Sequence, residues 1–227
     1  MRVLGKIRVK IGAILMLFAM LVSDGAPLLC IYFLSASLHE CGHLIAARAL
    51  RIDIEELRFD FSGVRICTER AITSYGSEFV LAAAGPLVNF LSVTISVLFF
   101  LSNGISVQEA ADAVMCFFDG VHTFIGAVGF FAASSLLQCG INLLPINTLD
   151  GGRVLFCAVA LLFGERSAYV SIKVTSFAAA FVLWTVALYL LLKVSAGLGV
   201  FVFAACVFFS TREQIEKRAD GSALDGV

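Results

Sequence analysis

The chain has 227 residues, of which 60% are hydrophobic and 15% charged, with a formal net charge of −1 at pH 7. A water-soluble domain cannot hide that much apolar surface, so the composition excludes an ordinary soluble fold and requires an integral membrane protein. The net charge is uninformative by itself; its distribution along the chain carries the topology.

A bilayer-spanning helix needs about 20 mostly apolar residues. In chain order the candidate spans are about 11–23, 27–49, 79–101, 121–144, 175–192 and 194–210. The first and last are short, and the first borrows length from the basic residues before it, whose long stems reach the interface. Arg2, Lys6, Arg8 and Lys10 precede that span with no acid among them, which puts the N-terminus in the cytoplasm. The apolar run lacks an A-x-A cleavage site, so it reads as a span and not as a signal peptide. Alternation then places Arg48 and Arg51 inside. Residues 102–120, with Glu109, Asp112 and Asp119, fall outside, and Arg153, Arg166 and Lys173 fall inside again. Arg212, Lys217 and Arg218 return the tail to the cytoplasm; Lys193 is the dissenter. The expected fold is an all-α polytopic membrane protein with six transmembrane helices and a short cytoplasmic β-hairpin after the second. Residues 1–210 are expected to form one domain, followed by a short tail, 211–227.

Span two carries His39-Glu40-Cys41-Gly42-His43, an H-E-x-x-H pattern. On a helix the two histidines fall one turn apart on one face, with Glu40 beside the first. That spacing suits two zinc ligands and a general base. Ionisable side chains inside a span cost on the order of 2.5–3.5 kcal/mol each on insertion scales, so they read as functional. Arg48 marks the cytoplasmic interface about 14 Å along the helix from His39, which puts the motif in the cytoplasmic half of the hydrocarbon. The competing reading is a histidine pair satisfied by hydrogen bonds in a bundle core. Two of the chain's three histidines sharing one turn inside lipid weigh against it. The seven cysteines are scattered singly with no C-x-x-C pair, and they read as small apolar packing residues. Cys41 falls between the two histidines and is not expected to be a ligand. His122, at the outer mouth of span four, reads as an interfacial residue.

After span two, residues 51–61 and 64–73 alternate apolar and polar around a Ser62-Gly63 turn, which predicts the cytoplasmic hairpin. An exposed strand edge there can pair with an extended substrate, or the hairpin can simply cap the bundle. Span four ends in Asn142-Leu143-Leu144-Pro145 and runs on to Asp150-Gly151-Gly152-Arg153. Pro145 and the glycine pair break the helix at membrane depth, which is tolerated only where backbone is buried in protein or lines a wet cavity. A catalytic zinc wants three protein ligands and an open position. Asp150, arriving beside the break in the cytoplasmic half, is the best candidate for the third; the competing reading makes it an N-cap for the next helix. Residues 154–163 are apolar but too short to span, and they read as an interfacial helix packed under the bundle.

Three motifs, H-E-x-x-H, then Gly85-Pro86-Leu87-Val88-Asn89 as G-P-x-x-N, then N-x-x-P-x-x-x-x-D-G-G from Asn142, occur in that order on three spans. The chain thereby resembles the site-2 protease family of intramembrane zinc metalloproteases over about residues 31–153. The family is often richer in proline between Pro145 and Asp150, where this chain has Ile146-Asn147-Thr148-Leu149. The resemblance implies one Zn2+ per chain held by His39, His43 and Asp150, with Glu40 as the general base. It also implies a substrate-binding and oxyanion group of Asn142, Pro145 and Asn89; interhelical hydrogen bonding is the competing role for the two asparagines.

The implied activity is hydrolysis of peptide bonds in membrane-embedded or membrane-associated proteins near the cytoplasmic face, as in regulated intramembrane proteolysis. Expected partners are such substrates, inhibitory or regulatory membrane proteins and the lipid bilayer; nucleic acid is not among them. The expected location is a bacterial cell membrane. The compact plan resembles the stage IV sporulation branch, whose members cut a pro-sigma factor. That branch often carries a CBS domain, for which the tail leaves no room. Two other classes compete: a metal-binding membrane protein or transporter, and a catalytically inactive protease fold acting as a chaperone. A transporter predicts further metal ligands along a path, and spans one, five and six offer only cysteine and hydroxyl groups. The intact set His39, Glu40, His43 and Asp150 argues against an inactive fold.

Overall fold

The structure, a computed structural model, describes residues 3–9, 26–52, 54–60, 63–68 and 74–193, with 204, 205, 207, 208 and 211 beyond them. In chain order these form strand β1 (Val3–Val9), helix α1 (Ala26–Ala49) and strands β2 (Ile54–Asp60) and β3 (Gly63–Thr68). Helices α2 (Tyr75–Ser102), α3 (Val107–Phe118), α4 (Phe124–Asn142), α5 (Asp150–Phe163) and α6 (Glu165–Lys193) follow. Four stretches are long and apolar enough to cross a membrane: Pro27–Ala49, Tyr75–Ser102, Phe124–Asn142 and Glu165–Tyr189. They correspond in order to expected spans two to five. The fifth starts earlier than expected, because Glu165, Arg166 and Lys173 lie within one unbroken helix. The first expected span, 11–23, lies outside the described residues, as do the tail beyond Thr211 and most of 194–210.

The outward faces of the long helices are apolar: Leu87, Leu91, Ile95 and Leu98 on α2 and Phe181 and Val182 on α6 are exposed, Ile95 by 67%. In water such a wall would associate; against lipid it is the required surface, and the backbone bonds stay inside each helix. The hydroxyls follow the same rule. Ser92, Ser96 and Thr185 donate to the carbonyls four residues earlier, Val88, Ser92 and Phe181, at 2.8–3.0 Å.

The bundle is organised around α2, which packs against α1, α4 and α5, while α1 also touches α4, α3 packs on α4, and α5 packs on α6. The α1–α2 crossing is close because Gly42 has no side chain: a Cβ there would stand 2.6 Å from the Ala84 carbonyl oxygen. One turn further along, Ala47 and Leu81 bury each other's surface. Between α1 and α4 the contact is polar, with Ser35 Oγ 2.9 Å from Ser135 Oγ and donating to Gln138 Oε1 at 3.1 Å. Such pairs substitute for the hydrophobic drive that lipid does not supply between helices.

The helix break between α4 and α5 is buried in protein. Pro145 disfavours helical geometry at the residue before it. Ile146 and Leu149 bury themselves against Ala180 of α6 and Val207, and the Asn147 N–H donates to Ser176 Oγ of α6 at 2.9 Å. Gly151 and Gly152 bring the start of α5 so close to the backbone of Leu143 and Ile146 that a Cβ at either would overlap those carbonyls.

Strand β2 lies between β3, paired antiparallel with Asp60 opposite Gly63, and β1, paired parallel with Val9 opposite Phe59. Nothing in the sequence reading anticipated β1, whose basic residues served only as a topology signal. Helix α3 was also unforeseen within residues 102–120. It is nucleated by a capping box, Ser106 Oγ accepting from the Glu109 N–H at 3.2 Å and Glu109 Oε2 accepting from the Ser106 N–H at 2.8 Å.

Helix α1 ends where the Ile52 N–H donates to the Ala47 carbonyl at 2.9 Å and Arg51 takes φ = 55°. This is a Schellman-type stop with a non-glycine residue in the left-handed region. Arg51→Gly is therefore expected to stabilise the protein by about 0.5–1 kcal/mol. The measurement is thermal unfolding in detergent; an unchanged or lowered midpoint would show that the arginine side chain contributes more than its backbone strain costs.

Candidate metal centre

His39 and His43 lie one turn apart on α1, both buried, and their rings meet edge to face with centroids 4.9 Å apart. Their Nε2 atoms are 3.2 Å from each other. Asp150, the first residue of α5, brings Oδ2 to 3.1 Å from His39 Nε2 and 3.2 Å from His43 Nε2. The cap position of α5 belongs to Leu149, which makes no side-chain cap. The Asp150 carboxylate is thus turned to the histidines instead of to its own helix end. The N-terminus of α5 adds a favourable dipole.

These three atoms form a nearly equilateral triangle. Tetrahedral bonds of about 2.0–2.1 Å set neighbouring ligands about 3.3 Å apart, so the triangle is sized for one zinc ion with a fourth position open. Among the described residues this is the cluster of His, Cys, Asp and Glu side chains whose ligand atoms converge, all within 4.8 Å.

Two further observations fit a metal. His43 Nδ1 lies 2.8 Å from the Leu81 carbonyl oxygen. A carbonyl only accepts, so Nδ1 carries the proton and the Nε2 lone pair faces the triangle, the tautomer a ligand needs. Below the rings lies Gly85. A Cβ there would overlap His43 Nε2 and stand 2.7 Å from His39 Cε1 and Nε2. The missing side chain is the space the imidazoles occupy. The next residue, Pro86, has no N–H and opens the α2 ladder beside these contacts. Its carbonyl accepts from the Cys139 thiol at 3.5 Å, tying α4 to α2 at this level.

Glu40, next to His39 on α1, is half-buried. Asn142, the last residue of α4, places Nδ2 3.2 Å from His39 Nε2, at the rim of the triangle. Asn89 is fully buried on the other side of the same ring, with Nδ2 3.1 Å from Nδ1. Pro145 lies in the turn between Asn142 and Asp150. Cys41 is exposed, and His122 packs on the Phe117 ring at 4.7 Å, both away from the cluster. Sequence reasoning missed the Leu81 carbonyl and the steric role of Gly85. The signal for both was present: a Gly-Pro pair inside an apolar helix has a packing reason more often than a propensity reason. Arg153 Nε also lies 3.5 Å from Glu78 Oε1, joining α5 to α2 one turn beyond Asp150.

Gly85→Ala is expected to leave the helix intact and displace the imidazoles, lowering bound zinc in purified protein at least tenfold under chelator competition. Undiminished zinc would show that the floor of the site can yield.

Residues 27–186 match the family model described as peptidase family M50. A comparison with curated proteins finds no match. Among solved structures, the chain superposes on one described as a site-2 protease from Methanocaldococcus jannaschii with a TM-score of 0.58. The two are 21% identical, over 94% of this chain and 92% of that one, a likeness of fold. With the matched family model covering most of the chain, all three motifs included, this integral membrane protein belongs to peptidase family M50, the family of the site-2 proteases.

Proposed function

We propose that the protein is an intramembrane zinc endopeptidase that cuts membrane-embedded or membrane-associated proteins near the cytoplasmic face. The observation that carries this reading is the convergence of His39, His43 and Asp150 within 3.1–3.2 Å, beside Glu40, in a bundle of membrane-length helices. In a medium of low dielectric the charges should balance, and Asp150 with Glu40 supplies two negative charges against a divalent ion.

His39, His43 and Asp150 would hold a zinc ion, which would supply Lewis-acid polarisation and lower the pKa of a water toward about 7. Glu40 would take a proton from water as its oxygen attacks the scissile carbonyl and would return it to the departing amine nitrogen. Asn142, at the rim beside His39, is suited to donate its side-chain N–H to the carbonyl oxygen as negative charge develops there. Pro145 disfavours helical geometry at Leu144 and has no N–H to continue α4, so the chain turns after Asn142 and brings Asp150 back to the same centre. The apolar walls limit water at the site, which strengthens each of these interactions.

A helical substrate hides its carbonyls, so the reaction needs an extended peptide. Strand β2 is paired on both sides, and among the described residues no strand pairs with the outer edge of β1 or β3, where an extended peptide could add. The cytoplasmic termini, which the charge pattern supports, and a place in regulated proteolysis, which the family supports, belong to this proposal.

Co-expression with single-span membrane substrates tests it. Glu40→Gln is expected to keep its zinc and lose fragment formation by about 100-fold or more, whereas Asp150→Asn is expected to lose zinc as well. Equal fragments from wild type and Glu40→Gln would rule out this chemistry.

A further inference from the structure

Each ligating histidine needs a partner on its second ring nitrogen to hold its tautomer and orientation. For His43 that partner is the Leu81 carbonyl. For His39 the residue in place is Asn89, one turn beyond Gly85 on α2 and 0% exposed. Its Nδ2 stands 3.1 Å from His39 Nδ1, the nitrogen facing away from the triangle. The other end of the amide, Oδ1, is buried and has no hydrogen-bond partner. A buried acceptor without a partner is costly, and nothing among the described residues pairs this one.

The two ends of a primary amide have the same shape, and a half-turn of the last side-chain torsion exchanges them. With Nδ2 toward the ring, the amide donates to the Nδ1 lone pair. The proton of the neutral ring then sits on Nε2, between Asp150 and His43, where it blocks ligation. With Oδ1 toward the ring, the orphaned acceptor receives Nδ1–H, and the Nε2 lone pair is free in the triangle. Asparagine can serve both states because it is donor and acceptor at once.

We propose that Asn89 is the positioning residue of this centre: by accepting the Nδ1 proton of His39 it fixes the ring tautomer whose Nε2 binds a divalent metal ion. The inference rests on the metalloprotease reading and deepens it. It moves Asn89 from the substrate-binding role implied by resemblance to the metal. Helix α2 then orients both histidines of α1, one through a backbone carbonyl and one through a side chain.

The test is zinc affinity of the purified full chain in detergent, by competition with a chelator, for wild type, Asn89→Leu, Asn89→Asp and Asp150→Asn. Leucine keeps the branching of asparagine without its polar atoms but is bulkier, so Asn89→Ala, which cannot overpack the ring, is measured beside it and is expected to weaken zinc in the same way; aspartate accepts from Nδ1–H as the amide oxygen does. Asn89→Leu is expected to weaken zinc 10–100-fold, with Asn89→Asp restoring wild-type affinity within about threefold or exceeding it. Cobalt-loaded Asn89→Leu should also show a changed ligand-field absorption band, which a purely structural helix contact would not produce. Equal zinc affinity in wild type and Asn89→Leu, or failure of Asn89→Asp to restore it, overturns the role of Asn89. If instead wild type itself binds no stoichiometric zinc, or Asp150→Asn binds as well as wild type, the metalloprotease reading has failed along with it.

Discussion

Lipid offers no hydrogen bonds, so a polar centre at membrane depth has to be satisfied by the protein alone. In this chain that need is met by bringing α1 and α2 unusually close. Gly42 lets α1 lie on the Ala84 carbonyl, and Gly85 leaves room for the two imidazoles. The approach puts the Leu81 carbonyl and the Asn89 amide within reach of the outer ring nitrogens. A single added carbon on either helix would act on the two imidazoles, because the same contact that packs the helices orients them.

The second half of the centre depends on a discontinuity. An unbroken α4 would carry Asp150 past the site, and an exposed break would leave backbone groups unpaired in lipid. Ile146, Leu149 and the Asn147 N–H instead anchor the irregular segment to α6. The glycines at 151 and 152 let α5 start against that segment, and the Glu78–Arg153 pair holds α5 to α2. Asp150 is therefore positioned through α6 and α2, and α6 belongs to the support of the site although none of its own side chains lies in the triangle of His39, His43 and Asp150.

Spans two to five were legible because hydropathy over about 20 residues is a property of local composition. So was the adjacency of His39 and His43, which follows from 3.6 residues per turn. Helix α3 was overlooked despite its Ser106–Glu109 box, because a twelve-residue amphipathic helix is masked by the weight given to spans. Strand β1 could not have been foreseen: Val3–Val9 pairs with residues some fifty positions later, and a parallel partner leaves no local turn signal.

The sequence by itself determined that this is a membrane protein, where four of its membrane-length helices lie, and that two histidines and a glutamate share one helical turn. Each of these depends on composition or on spacing within one helix. Only the tertiary structure decided that Asp150 meets the histidines instead of capping its own helix. It also decided that Leu81 and Asn89 face the outer ring nitrogens, and that Gly85 is the floor beneath them. Those relations join residues 38 to 111 positions apart. No periodicity encodes them, because they arise where close helix crossings bring separate elements to one point.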